Sequence, residues 1–136
     1  LSKHLEIENL LKENNYNFEI KNFYNDFDDI LDKTDIALCR SGAGTINDLI
    51  IHKIPAIICP LPSAKDNHQY ENAKILSSIK CAIIVDKNKI NEDEIMLFID
   101  KSLNDMNFKK KLKLNFEEIE IKNANELMWS HIENAK

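Results

Sequence analysis

Between Arg40 and Asp48 the chain reads Arg-Ser-Gly-Ala-Gly-Thr-Ile-Asn-Asp, and both glycines of the whole chain, Gly42 and Gly44, stand in that stretch. Small residues flanked by the hydroxyls of Ser41 and Thr45, at the opening of a helix, suit the binding of a diphosphate. The first backbone N–H groups of a helix have no partner inside it, and glycine permits positive φ and close approach of a ligand to the backbone. Many α/β proteins use glycine at such a turn only for tight packing. Asp48 falls one turn into the same helix. Its carboxylate can accept hydrogen bonds from a vicinal diol such as ribose, or partner the helix dipole for on the order of a few tenths of a kcal/mol. Arg40 can pair with phosphate, or with Asp35 or Asp66.

A second polar cluster, Asp66-Asn-His-Gln-Tyr-Glu-Asn-Ala73, opens another helix. Asp66 or Asn67 is a natural cap. Capping does not require His68 and Gln69, whose imidazole and amide are good donors and acceptors for sugar hydroxyls. His68 can also act as a base, although no nucleophile stands beside it and a lone histidine is more often structural.

The elements that must carry these residues alternate. Residues 2 to 14 predict a helix with an apolar face of Leu5, Ile7, Leu10 and Leu11. Phe18 and Ile20 alternate with polar residues as in a short strand, the loop 22–25 follows, and Asp26 caps a short helix through Leu31. A strand over 35–39 leads into the glycine turn, and its helix, opening near Thr45, closes at His52-Lys53-Ile54. Pro55 precedes a strand from Ala56 to Cys59. After a loop at 61–66, stiffened by Pro62, a helix runs from Asn67 to Ser78. The continuous apolar run Cys81–Val85 predicts a strand covered on both faces. Asn91 caps a helix with Ile95, Ile99 and Leu103 at four-residue spacing, Phe108, Leu112 and Phe116 mark another, and Leu127, Met128 and Ile132 a last one carrying Trp129. Strands alternating with helices imply a parallel sheet, in which ligands bind beyond the carboxyl ends of the strands. The loops at 22–25, 40–44 and 61–66 all lie at such ends and should converge on one cleft.

Composition bounds the partners. The 136 residues suit a single domain or part of one, and 43% hydrophobic residues suffice for a core. A net charge of −5 without a basic stripe argues against nucleic acid. Cys39, Cys59 and Cys81 are odd in number, sit in or beside apolar runs and show no metal spacing, which fits small core residues in a reduced cytosolic setting. No apolar run approaches the ~18 residues of a membrane span. The chain opens with Leu1 in helix-like sequence, the expected look of a piece of something longer.

Three motifs in order, Arg40–Asp48, Pro55-Ala-Ile-Ile-Cys-Pro-Leu-Pro62 and Asp66–Ala73, resemble the donor-binding half of the MurG family, bacterial transferases that convert lipid I to lipid II in peptidoglycan synthesis. The resemblance covers about residues 17 to 86, and more loosely the whole chain. It implies an α/β fold: the Rossmann-like carboxyl-terminal half of a GT-B glycosyltransferase, with residues 1–136 as a partial UDP-GlcNAc-binding domain. By that similarity the backbone of Tyr24 reads the uracil edge with Phe23 nearby, and Ser41, Gly42, Ala43, Gly44 and Thr45 hold the diphosphate. The binding stretch continues through Ile46 and Asn47 to Asp48 at the ribose, while His68 and Gln69 contact the GlcNAc hydroxyls. The family usually has Glu where Asp48 stands and often Gln where His68 stands, so the reach to ribose is one methylene shorter here.

The resemblance further implies inverting transfer of GlcNAc to the lipid-linked MurNAc sugar at the cytoplasmic face of the inner membrane, with no cofactor or metal, UDP-GlcNAc being substrate. The acceptor, lipid I, would be held by an amino-terminal domain that has no counterpart here and carries the family's proposed base, so no catalytic residue is expected in this chain. The domain's first strands, one with a Gly-Gly-Ser turn, are also absent, which predicts an unpaired sheet edge and no turnover by the chain alone. Competing readings are the donor-binding subunit of a two-chain UDP-GlcNAc transferase, a GT-B transferase for another UDP-sugar, and a non-catalytic module of the same fold.

Overall fold

The computed structural model describes residues 2–61 and 67–119. Three short parallel strands form one sheet: β1 (Ala37–Cys39), β2 (Ala56–Ile58) and β3 (Ala82–Ile84), in the spatial order β1-β2-β3. The rungs Ala37–Ala56–Ala82, Leu38–Ile57–Ile83 and Cys39–Ile58–Ile84 are in register. The helices are α1 (Ser2–Glu13), α2 (Phe27–Leu31), α3 (Ala43–Ile51), α4 (His68–Ser78), α5 (Glu92–Asn104) and α6 (Met106–Glu118). Helix α3 connects β1 to β2 and α4 lies between β2 and β3, the alternation that a parallel sheet requires.

One face of the sheet carries the core. Ala56 and Ile58 of β2 and Ala82 of β3 meet Leu31 of α2, Ile46 and Leu49 of α3, Ala73 and Leu76 of α4, and Leu112 and Phe116 of α6. Residues at alternate strand positions share a face, which is why the Leu38–Ile57–Ile83 rung points the other way. There Ile57 is buried and Ile83 half-buried, but Leu38 is 73% exposed. Among the described residues β1 pairs only with β2, so its outer edge is without a partner strand, as expected.

Three helices end in the same way. Ile54 N–H bonds Leu49 C=O and Lys53 N–H bonds Ile50 C=O at the end of α3; Cys81 to Leu76 and Lys80 to Ser77 repeat the pattern after α4, and Tyr16 to Leu11 and Asn15 to Lys12 after α1. These paired closures need a left-handed residue at the first position beyond the cap. Asn15, Lys53 and Lys80 supply it with φ of 55°, 54° and 60°.

Several expectations change. Phe18–Ile20 is not a strand, because among the described residues no strand lies beside it and an extended segment without a ladder partner gains no sheet hydrogen bonds. Helix α3 begins at Ala43, two residues before Thr45. The run 81–85 is less covered than a strand buried on both faces, since β3 lies at the sheet's far edge and both isoleucines are half-buried. Asn91 caps α5 as expected, accepting from Glu94 N–H. The last helix with Trp129, most of the loop at 61–66 and Asp66 lie outside the described residues.

Candidate site at the carboxyl ends of the strands

The turn after β1 is built from backbone. Gly42 is the N-cap of α3, at φ −61° and ψ 150°, and carries no side chain that could cap the helix. The turn's backbone bond runs from Ile46 N–H to Gly42 C=O, and no backbone acceptor among the described residues takes the N–H of Ala43, Gly44 or Thr45. These three donors stand at the positive end of a nine-residue helix. Neither glycine has positive φ, which corrects that part of the expectation. A Cβ on Gly42 would come no nearer than 3.8 Å to Thr45 Oγ1, and one on Gly44 would meet nothing within 4 Å. Glycine at position 44 thus leaves room that no atom of the described residues uses.

The other predicted residues divide into those open to the turn and those turned inward. Gly44 is exposed, and Thr45, Asn47 and Asp48 are half-buried. Ile46 is in the core, so only its backbone is available to a ligand. Ser41 is fully buried and its Oγ has no hydrogen-bond partner, so the expected second hydroxyl is enclosed rather than presented to solvent. The Tyr24 hydroxyl donates to Glu19 C=O at 3.1 Å, while Phe23 is 78% exposed. No hydrogen bond or ion pair among the described residues joins 22–25 to the turn, so that part of the expected convergence is not seen as contact.

Side chains tie the loops together. Arg40 donates through Nη1 to the carbonyls of Cys59 at 2.8 Å and Pro60 at 3.3 Å, and so binds the end of β1 to the end of β2. It does not pair with Asp35, whose carboxylate lies 3.9 Å from Lys109 Nζ. Helix α4 opens at His68, which is exposed, after Asn67 in the left-handed region at φ 51°. Asn67 makes no side-chain cap, against the expected role. Gln69 Oε1 accepts Leu61 N–H at 2.9 Å, and its NH2 group donates to no acceptor among the described residues. Asn72 Nδ2 donates to Ser41 C=O at 3.0 Å. The bridging parts of Arg40 and Asn72 were not anticipated, although Asn72 stands three residues after Gln69 on one helix face, a spacing legible in the sequence.

Burial raises the thiol of Cys39, with Cys59 adding to the effect, so it stays protonated at neutral pH. No group of three His, Cys, Asp or Glu among the described residues could hold a metal ion, and no helix among them is long and apolar enough to cross a membrane. An open depression of about 290 Å3 between β3 and α5, lined by Lys80, Ile83, Leu97, Phe98 and Lys101 among others, contains none of the predicted site residues.

Comparison with known proteins supplies the family. A relative from Rickettsia bellii (strain RML369-C), named UDP-N-acetylglucosamine--N-acetylmuramyl-(pentapeptide) pyrophosphoryl-undecaprenol N-acetylglucosamine transferase, is 37% identical over 95 residues, 70% of this chain and 27% of its own. Proteins of the same name from Prochlorococcus marinus are 39% identical over 119 residues in subspecies pastoris (86% of this chain, 32% of the relative) and 46% over 82 residues in strain MIT 9515 (60% and 22%). The chain thus spans between 22% and 32% of the length of these curated relatives. No solved structure matches it. The profile of the glycosyltransferase family 28 C-terminal domain matches residues 2–128, and with its parallel sheet and uncapped glycine turn in place, the chain belongs to that family.

Proposed function

We propose that this chain is the donor-binding part of an inverting hexosyltransferase that moves GlcNAc from UDP-GlcNAc to the lipid-linked MurNAc-pentapeptide, the lipid I to lipid II step of peptidoglycan synthesis. The observation that carries the reading is the start of α3: three N–H groups without backbone acceptors, an N-cap with no side chain, and open space over Gly44. The names of the relatives support the donor and acceptor.

In this reading the chain's own task is positioning and charge stabilisation. The N–H groups of Ala43, Gly44 and Thr45 take the diphosphate, and their dipoles stabilise the negative charge that grows on UDP as the glycosidic bond breaks. Asp48, half-buried two residues beyond Ile46 and without a side-chain partner among the described residues, accepts from the ribose hydroxyls. His68 and Gln69 hold the sugar, Gln69 as a donor because its oxygen is engaged. Tyr24 offers its backbone to the uracil. The acceptor and the base belong to a part of the enzyme beyond this chain, which works at the cytoplasmic face of the membrane; no resident cofactor enters the scheme, and the chain alone has no turnover.

Titration with UDP-GlcNAc, UDP and ADP, alongside Asp48→Ala, tests it. Binding of both uridine ligands and not ADP, weakened in the variant, is the expected result. A folded chain that ignores all three, or binds ADP equally well, would overturn the assignment.

A further inference from the structure

The first turn of α4 overhangs the core. Helix α4 sets its first fully buried side chain, Ala73, only at its sixth residue, with Leu76 following. Before that, His68 and Tyr70 are exposed and Gln69 is half-buried. The N-cap residue Asn67 makes no capping bond, so the helix start is not fixed by its own termination signal. Among the described residues, the side chains of Gln69 and Asn72 reach from the opening of α4 to the loops below it. Gln69 takes Leu61 N–H after β2, and Asn72 gives a proton to Ser41 C=O after β1, across 31 residues of sequence.

The Ser41 end of the second bond is the fixed one. Ser41 is fully buried, and α3 behind it is anchored by Ile46 and Leu49, 3% and 2% exposed. Ser41 also immediately precedes Gly42, the N-cap of the helix with the open N–H groups. The amide of Asn72 therefore sets how far the turn bearing His68 and Gln69 stands from the start of α3.

We propose that Asn72 is a positioning residue that fixes the distance between the diphosphate-binding turn and the sugar-facing turn of α4, and so governs affinity for the sugar-bearing nucleotide while leaving affinity for the bare nucleotide nearly unchanged. This rests on the donor-binding reading above. Loss of the bridge lets the overhanging turn move; α3 stays where the core holds it. UDP, which needs α3 and the 22–25 loop, keeps its contacts, whereas the sugar loses the group opposite it.

The test uses the 136-residue chain and compares UDP with UDP-GlcNAc by calorimetry in wild type, Asn72→Ala and Asn115→Ala. Asn115 supplies the control because its Nδ2 bonds Ile79 C=O at 2.8 Å, a part-buried side-chain-to-backbone staple of the same kind that joins α6 to the far end of α4. For Asn72→Ala we expect about tenfold weaker UDP-GlcNAc binding, the scale of one hydrogen bond, and less than about twofold change for UDP. Asn115→Ala should lower the unfolding midpoint to a similar degree and leave the ratio of the two affinities as in wild type. If Asn72→Ala does not fold, Asn72→Asp, which keeps the shape and removes the donor, takes its place. Equal weakening of both ligands, or a ratio unchanged from wild type, overturns the positioning role while the donor reading stands. Absence of any uridine ligand binding to folded wild type defeats the donor reading and the proposal with it.

Discussion

The guanidinium of Arg40 lies 2.8 Å from the carbonyl oxygen of Cys59, so the residue that follows β1 holds the residue that follows β2. The same nitrogen reaches Pro60 C=O at 3.3 Å. A single planar cation thereby closes the gap between two neighbouring strand ends, where the ladder has stopped. Nη1 alone serves both carbonyls from the end of the long arginine side chain, a reach that lysine's shorter stem and glutamine's neutral amide do not reproduce. Arg40→Lys and Arg40→Gln should each cost about 0.5–1.5 kcal/mol in urea unfolding, the range for charge-assisted bonds discounted for exposure. Uridine nucleotide affinity should fall with them. A variant that binds as wild type would show that the two loop ends keep their places without this link.

Gly44 separates folding from binding. A methyl group there meets no atom of the described residues within 4 Å, and alanine is the better helix former. Gly44→Ala should therefore leave the thermal midpoint unchanged or raise stability by up to about 1 kcal/mol. In the donor reading the same methyl stands where the diphosphate must come close to the backbone, and UDP binding should fall at least tenfold, about 1.4 kcal/mol. Calorimetry and thermal unfolding on one sample read both effects.

The left-handed lysines are the converse case. Lys53 and Lys80 hold φ of 54° and 60° to close α3 and α4, a conformation in which a Cβ is crowded. Lys80→Gly should stabilise the chain by about 0.5–1 kcal/mol, since relief of that crowding exceeds glycine's greater loss of chain entropy, and Lys53→Gly should gain less because it also removes the 3.0 Å ion pair from Lys53 Nζ to Glu117. Both positions are at the ends of helices away from the glycine turn, so nucleotide affinity should not change. Denaturant midpoints that fall instead would point to a role for the lysine side chains.

Cys81 gives the fold a pH dependence. Burial, helped by the charge of Glu118, pushes its thiol up from 9.0 to about 12, and its Sγ lies 3.6 Å from Leu112 C=O, between β3 and α6. Above pH 9 the unfolded chain releases this proton while the folded chain still holds it. The unfolded state then binds fewer protons, so stability falls as pH rises from 9 toward 12. Urea midpoints should decline over that window, and Cys81→Ala should remove about one proton's worth of the slope. At pH 8 the native thiol should resist alkylation and react once the chain is unfolded.

Much of this architecture is written in local pattern. The apolar runs at 35–39, 56–59 and 81–85 contain the three strands, and the four-residue spacing of Phe108, Leu112 and Phe116 lies within α6. Asn91 could be read as a cap because its bond to Glu94 is local. What escaped depends on distant partners. Alternation at Phe18 and Ile20 says nothing about whether a strand lies alongside. Asn67 has the composition of a cap but adopts φ 51°, which turns its side chain from that duty. The glycines suggested positive φ, yet the conformation went to Asn15, Lys53 and Lys80, because a helix end needs the geometry even where the sequence offers no glycine. In the site, the types and spacing of Ser41–Asp48 were legible; that Ser41 is sealed inside, and that Asn72 and Arg40 bridge the loops, required the packing of α4 and β2 around them.

The helix starts differ, and Asp26, expected as the cap of α2, makes no side-chain capping bond. Helices α5 and α6 are closed by Asn91 and Asp105, whose side chains accept the first free N–H groups. Helices α3 and α4, which open beside the strand ends, begin at Gly42 and Asn67 without such a bond. In the donor reading, a diphosphate seated on α3 would take the N–H groups that a capping side chain takes elsewhere, so ligand and helix terminus would share one free energy and donor binding should raise the stability of the whole domain.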